Sequence, residues 1–261
     1  MVTKINLLKK KKLNNAVLFT GLPGIGLVGK IAVDYMLKQL KAEKIGEVSS
    51  DSFPPSVHTK NSLIELIKDE LYHYSYKGKH YLFLAGPVQP SLDVRFGLAH
   101  EHYEFAREIV EAVKKMGVKE IFTLAGINVG EKRMNQEPRV VAAATNKKLL
   151  ADFKKLGAIE GQEEGLISGA AGLILGMALE EGIQGVCLMG ETNARLIYGD
   201  HSSAKKIIEL LTKKFDFKIN MDEIGKESKD IEKAFQQLSK QFREEQKTLE
   251  EVPDTGLTYV R

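Results

Sequence analysis

Gly21-Leu22-Pro23-Gly24-Ile25-Gly26-Leu27-Val28-Gly29-Lys30 decides how this chain is read. An apolar run, Ala16-Val17-Leu18-Phe19-Thr20, precedes it and reads as a buried strand. Ile31, Ala32, Val33, Tyr35, Met36 and Leu37 follow at helical spacing. Strand, glycine-rich turn and helix together let a chain reverse tightly and aim backbone N–H groups at an anion. Two nucleotide-binding patterns therefore need testing, and neither completes. Gly24 to Gly29-Lys30 has phosphate-loop spacing, but Ile31 stands where Ser or Thr would hold magnesium. Gly24, Gly26 and Gly29 fit the dinucleotide fingerprint, yet Glu43 and Glu47 do not clearly end a second strand. Glycine also serves positive φ and close helix–sheet approach. A structural or assembly turn is thus favoured over a phosphate cradle, which stays open as the alternative.

Outward from this turn, apolar strands and helices alternate from Ile5 to Phe215, with a strand-rich insert between Val57 and Ala85. The pattern predicts an α/β fold, a mostly parallel sheet covered by helices on both faces. The run Lys9-Lys10-Lys11-Lys12 reads as an exposed hairpin turn between an opening strand, Val2–Leu8, and the strand before the glycine turn. Asp51-Ser52-Phe53-Pro54-Pro55-Ser56 predicts a rigid loop, because proline cannot continue a ladder. Leu71–Tyr76 and His80–Ala85, joined by Lys77-Gly78-Lys79, predict an antiparallel hairpin. Helices are expected over about 96–116 and 147–156, the second closed by Gly157. Gly169, Gly172 and Gly176 mark Leu166–Leu179 as a helix packed centrally against a close neighbour.

Residues 1–218 read as an α/β core domain, 219–251 as a C-terminal helical arm and 252–261 as a flexible tail. Between Asp222 and Glu251 the apolar residues are Ile224, Ile231, Phe235, Leu238, Phe242 and Leu249, a heptad-like seam. A helix of that length extends roughly 45 Å, and its seam must be covered by its own body or by a second subunit. Ile231, Phe235, Leu238 and Phe242 are accordingly candidate oligomer-interface residues. Pro253 then breaks the helix and releases the tail.

Composition excludes several function classes. With 38 basic and 35 acidic residues the net charge is +3, too balanced to point to nucleic acid. Cys187 is the sole cysteine, so no intrachain disulfide forms, and its apolar surroundings make it a small hydrophobe. No secretory signal pattern and no bilayer-length apolar run is seen, which predicts a cytoplasmic protein without membrane contact. Candidate reactive groups are Glu163-Glu164, Glu191, Asp200-His201, and Ser91 with Asp93. None has the spacing of a metal site or a nucleophile elbow. His100 and His102 do not share a helical face, and Ser168 lacks the surrounding motif. No cofactor and no catalytic residue is expected.

Phe19-Thr20-Gly21-Leu22-Pro23-Gly24-Ile25-Gly26-Leu27-Val28-Gly29, Asp51-Ser52-Phe53-Pro54-Pro55, Gly165-Leu166-Ile167-Ser168-Gly169 with Gly172-Leu173, and Met189-Gly190-Glu191-Thr192 form an ordered set. This set resembles the archaeal branch of the proteasome assembly chaperone family, among relatives of the second chaperone subunit. The resemblance implies a phosphorylase-like α/β fold without catalytic equipment. It further implies a homo-oligomer acting as chaperone, adapter or activator on proteasome α subunits or another assembly factor. In that family a terminal hydrophobic–tyrosine–any tripeptide docks between α subunits. Here Leu257, Tyr259, Val260 and Arg261 are the candidate partner-binding residues, with Tyr259 third from the end rather than penultimate. The alternative is a phosphorylase- or hydrolase-like enzyme holding a phosphate or nucleoside at Gly21–Gly29.

Overall fold

A computed structural model describes residues 3–9, 12–90 and 99–226 of the chain. Strands β1 (Thr3–Leu7) and β2 (Ala16–Gly21) lead to a single 3-10 turn, Ile25–Leu27, and helix α1 (Val28–Leu40). Five strands follow: β3 (Glu43–Ser50), β4 (Val57–Lys60), β5 (Leu63–Leu66), β6 (Asp69–Tyr76) and β7 (Lys79–Ala85). Beyond them come α2 (Ala99–Met116), β8 (Val118–Asn128), the short α3 (Lys132–Asn135), β9 (Val140–Ala144) and α4 (Lys147–Leu156). The described chain closes with β10 (Ile159–Glu160), α5 (Ala170–Glu180), β11 (Gln184–Thr192) and α6 (His201–Phe215).

Among the described residues, nine strands form one sheet in the order β1-β3-β6-β7-β2-β8-β11-β9-β10, and β4 and β5 pair only with each other. The centre is parallel: β7 on β2, β2 on β8, β8 on β11. Both flanks turn antiparallel, through β1–β3, β3–β6 and β6–β7 on one side and β11–β9 on the other. The sheet is therefore mixed, with a parallel core and one further parallel pair, β9–β10, at the far edge, which narrows the expected mostly parallel sheet. The expected lysine hairpin is corrected too. β1 pairs with β3 at the sheet edge, whereas β2 lies in the middle between β7 and β8. Strand pairing in the centre rewards burial on both faces, and β2 is buried along its whole length.

Alternate side chains of the central strands supply two apolar layers. Val17, Phe19, Phe83, Phe122 and Leu188 meet α1, α4 and α6 on one face. Leu18, Leu82, Leu84 and Ile121 meet α2 and α5 on the other. Phe19 sits among Phe83, Phe122 and Phe215, with ring centroids 5.2, 5.5 and 5.2 Å away. On α2 the buried Phe105, Ile109, Val113 and Met116 form the stripe expected from their spacing, each worth about 1.5–3 kcal/mol of burial. The expected α4 is matched residue for residue: Asn146 Oδ1 accepts from Leu149 N at 2.9 Å, and Gly157 closes the helix at φ 112°. The small-residue helix is corrected: α5 begins at Ala170, and only Ala170, Ile174, Leu175 and Ala178 are buried. Gly176 and Leu179 face solvent, so α5 is an outer helix with one covered stripe.

Helical backbone resumes over residues 222–226, at the start of the expected arm. The rest of that arm, including Ile231, Phe235, Leu238 and Phe242, lies outside the described residues, as do Leu257, Tyr259, Val260 and Arg261 of the tail. Among the described residues, no helix is long and apolar enough to cross a membrane. Cys187 is fully buried in β11, and burial pushes its thiol up to about 11. Native protein should accordingly leave a thiol reagent such as DTNB unreacted over hours and release one equivalent only on unfolding.

Candidate functional site at the strand ends

The carboxyl ends of β2, β8 and β11 meet the glycine turn, the place where open α/β sheets bind ligands. A cleft of about 210 Å³ opens there, with Thr20, Leu22, Ile25, Gln89, Ile127 and Ser168 among its walls. Its shape is set by close backbone contacts. Gly26 takes φ 60°, and Thr192 fills the space where a side chain would begin. A Cβ on Gly29 would lie 2.0 Å from Leu124 O, and one on Gly126 would lie 2.1 Å from Ile25 O. The turn is thus pressed onto β8, and Gly26 O accepts a hydrogen bond from Asp200 N at 2.8 Å.

This geometry bears on the choice left open by the sequence. A phosphate cradle needs free amides and a cation at the turn. Here Leu27 N is bonded to Gly24 O, and Lys30 pairs with Asp34 at 2.7 Å on the outer side of α1. The N-terminus of α5 is also occupied: Ala170 N donates to Gln89 Oε1 at 3.1 Å, while Gln89 Nε2 donates to Pro23 O. Gln89 therefore ties the glycine turn to α5. Among the described residues that line the cleft, no side chain is titratable.

Two of the carboxylates singled out in the sequence, Asp200 and Glu191, are held by arginines. Asp200 is 2 % exposed and accepts from Arg133 Nε and Nη2, both at 2.8 Å, while Oδ1 also accepts Ser203 N to cap α6. Glu191 accepts from Arg139 Nε at 3.0 Å and from Arg139 N at 3.1 Å, and its Oε1 is bonded by Nη2. The Arg139 guanidinium holds the Glu191 carboxyl below its ordinary range. Asn128 Oδ1 accepts from Gly130 N and Ala194 N, both at 3.1 Å, and Val129 N donates to Thr192 O. The loops after β8 and β11 are thereby joined into one rim over the glycine turn.

Glu163 and Glu164 are exposed, and Ser168 lines the cleft with no acid or base among its described walls. Ser91 and Asp93 lie outside the described residues. Among the described residues no group of three His, Cys, Asp or Glu side chains is placed to hold a metal ion. Sequence reasoning missed Gln89, Arg133 and Arg139 as the members that lock this rim. The available signal was two arginines between β8 and β9, opposite one acid at the end of β11 and another in the loop after it.

Because the Glu191 carboxyl titrates low when folded, its pairing stabilises the native state above the unfolded carboxylate range. That contribution is lost as pH falls through the folded value. The melting temperature of Glu191→Gln should lie below wild type by a constant margin above about pH 6, and the gap should close in acid. Thermal melts across pH check this.

Comparison with known proteins places this architecture. Residues 18–239 match the model of the PAC2 family. An uncharacterized protein of Methanocaldococcus jannaschii is 36% identical over 234 residues, covering 89% of this chain and 86% of that protein. Among solved structures, Pyrococcus furiosus PbaB, described as an archaeal proteasome activator, superposes with a TM-score of 0.83 at 30% identity, covering 91% of this chain and 98% of that one. Pyrococcus furiosus PbaA, described as an archaeal homolog of proteasome-assembly chaperone, superposes with a TM-score of 0.68 at 25% identity, covering 94% and 96%.

Proposed function

The chain belongs to the PAC2 family, and on that premise we propose that it is a non-enzymatic, self-associating assembly chaperone or activator that acts on proteasome components. The observation that carries this reading is the near full-length similarity to PbaB. The locked rim supports it, since a turn whose Gly26 and Gly29 are closely packed against Thr192 and Leu124 suits a scaffold. The arm would join copies through Ile231, Phe235, Leu238 and Phe242, and Leu257, Tyr259, Val260 and Arg261 would contact proteasome α subunits or another assembly factor. Work of this kind takes place in the cytoplasm and needs no cofactor, nucleic acid or membrane.

The test is capture of archaeal 20S proteasome by the full chain and by a chain lacking Thr255 to Arg261. Full-length protein should retain the 20S particle and change its peptidase rate. The truncated protein should keep its oligomeric mass and lose capture by tenfold or more. Absence of capture by full-length protein sinks the reading. A melting shift with phosphate or nucleosides would favour instead the phosphorylase-like enzyme, because a ligand stabilises the fold that binds it.

A further inference from the structure

Asp69, the first residue of β6, is fully buried, and neither of its carboxyl oxygens has a hydrogen-bond partner among the described residues. An unpaired charge is costly away from water, so a carboxyl in that setting is at rest only when neutral. Its surroundings are tight. A Cβ on Gly86 would lie 1.7 Å from Asp69 Oδ1 and 2.3 Å from Asp69 Cγ, so the carboxyl rests directly on the Gly86 backbone. The Val88 amide is near enough to favour the ionised form without making a bond of ordinary geometry. Two charges act on the group: Lys30 on α1 favours ionisation, and Glu70 beside it on β6 opposes it. On β3 Asp69 pairs with Val48, while Glu47 pairs with Glu70 on the opposite side of the sheet and bonds Lys44 and Lys68. Glu101 and His102 are the buried titratable groups of α2, the helix over Asp69's face, and neither adds to the charge felt there. Desolvation outweighs the rest: burial pushes the Asp69 carboxyl well above the ordinary carboxylate range.

We propose that Asp69 is a proton-operated latch on the segment Gly86-Pro87-Val88-Gln89-Pro90, closed when its carboxyl is protonated and opened when the carboxyl ionises. A neutral carboxyl tolerates the dry contact with Gly86, whereas a carboxylate requires water or donors around both oxygens. Water reaches it when the backbone resting on it, that of Gly86, lifts. Pro87 and Pro90 each fix φ, so a displacement at Gly86 is carried along a stiff segment to Gln89. Gln89 is the side chain that bonds Pro23 O and Ala170 N, and it stands in the wall of the cleft of about 210 Å³. Ionisation of Asp69 thus loosens the tie between the glycine turn and α5 and widens the cleft. The latch lies within one subunit and is independent of the assembly role.

Thermal melts and amide exchange followed by NMR test this on the full chain, from about pH 4 to about pH 9. Because the folded chain holds this proton more tightly than the unfolded chain, stability falls as pH rises past the unfolded carboxylate value of about 4. The fall ends once pH exceeds the folded value. Asp69→Asn keeps the shape and cannot ionise, so it should gain on wild type with rising pH, by about 4 °C or more at about pH 9. In wild type the Ala170 amide, corrected for base-catalysed exchange, should exchange roughly tenfold or more faster at about pH 9 than at about pH 6. Its rate should stay level in Asp69→Asn and be fast at every pH in Gln89→Ala. Parallel melting profiles for wild type and Asp69→Asn overturn the latch. So does a wild-type Ala170 amide whose corrected exchange does not rise with pH, a measurement that decides the matter even where a substituted chain does not fold. A pH-dependent rate that persists in Gln89→Ala overturns the route through Gln89.

Discussion

Gly29→Ala should lower the melting temperature by about 6–12 °C, and Gly29→Val should give no soluble folded protein. The added methyl of alanine would stand 2.0 Å from Leu124 O and 2.7 Å from Leu124 C, both backbone atoms of the central strand β8. A flexible side chain can rotate away from such a clash, but a strand paired on both edges cannot. β8 is held between β2 and β11 along most of its length, so α1 must lift off the sheet instead. Lifting α1 strips cover from Phe19, Val33 and Met36, all of which are fully buried. Overpacking of well-filled cores costs about 1–3 kcal/mol, and a backbone obstacle puts this site at the upper end. Differential scanning calorimetry measures the loss. A melt within 2 °C of wild type would mean that α1 is not seated as described.

Asp200→Ala should destabilise the fold by about 3–5 kcal/mol, more than Arg133→Met. Removing the carboxylate leaves the guanidinium of Arg133, itself 6 % exposed, without its bidentate partner. The same change takes the cap from α6, a further loss of about 1 kcal/mol. Arg133→Met leaves the buried Asp200 carboxylate without its counter-charge but still bonded to the Ser203 amide and capping α6, so its cost is smaller. In the double variant Arg133→Met/Asp200→Ala the loss should be less than the sum of the two, with a coupling of about 1–3 kcal/mol read from denaturant unfolding. Additive losses would show that the pair contributes nothing as a pair.

Much of the architecture is legible in the chain before any coordinates. Asn146 and Gly157 bracket α4 because capping chemistry is local. The buried run Val186–Met189 announces β11 because a strand covered on both faces has no polar side. Strand order is another matter. Nothing within residues 3–7 states that β1 pairs with β3 rather than β2, since that choice depends on which neighbours offer an open edge after the parallel centre forms. The glycine turn shows the same limit at the candidate site. Its spacing is compatible with phosphate binding, and only the approach of Leu124, Thr192 and Asp200 reveals that the space beside Gly26 and Gly29 and the carbonyl of Gly26 are taken up by packing. Arg133 and Asp200 are 67 positions apart in the chain, so their pairing is a product of the fold rather than a pattern in it.

The position of β2 carries a consequence for how the molecule is made. Residues 16–21 leave the ribosome early, but their neighbours are residues 79–85 and 118–128. At roughly 5–20 residues per second, this fully buried segment waits on the order of 5–20 s for its second flank to be synthesised. Until then Leu18 and Phe19 are sticky and unshielded on a nascent polypeptide. Non-local pairing of this kind also folds slowly. A protein proposed to escort the assembly of others therefore begins its own life in need of an escort.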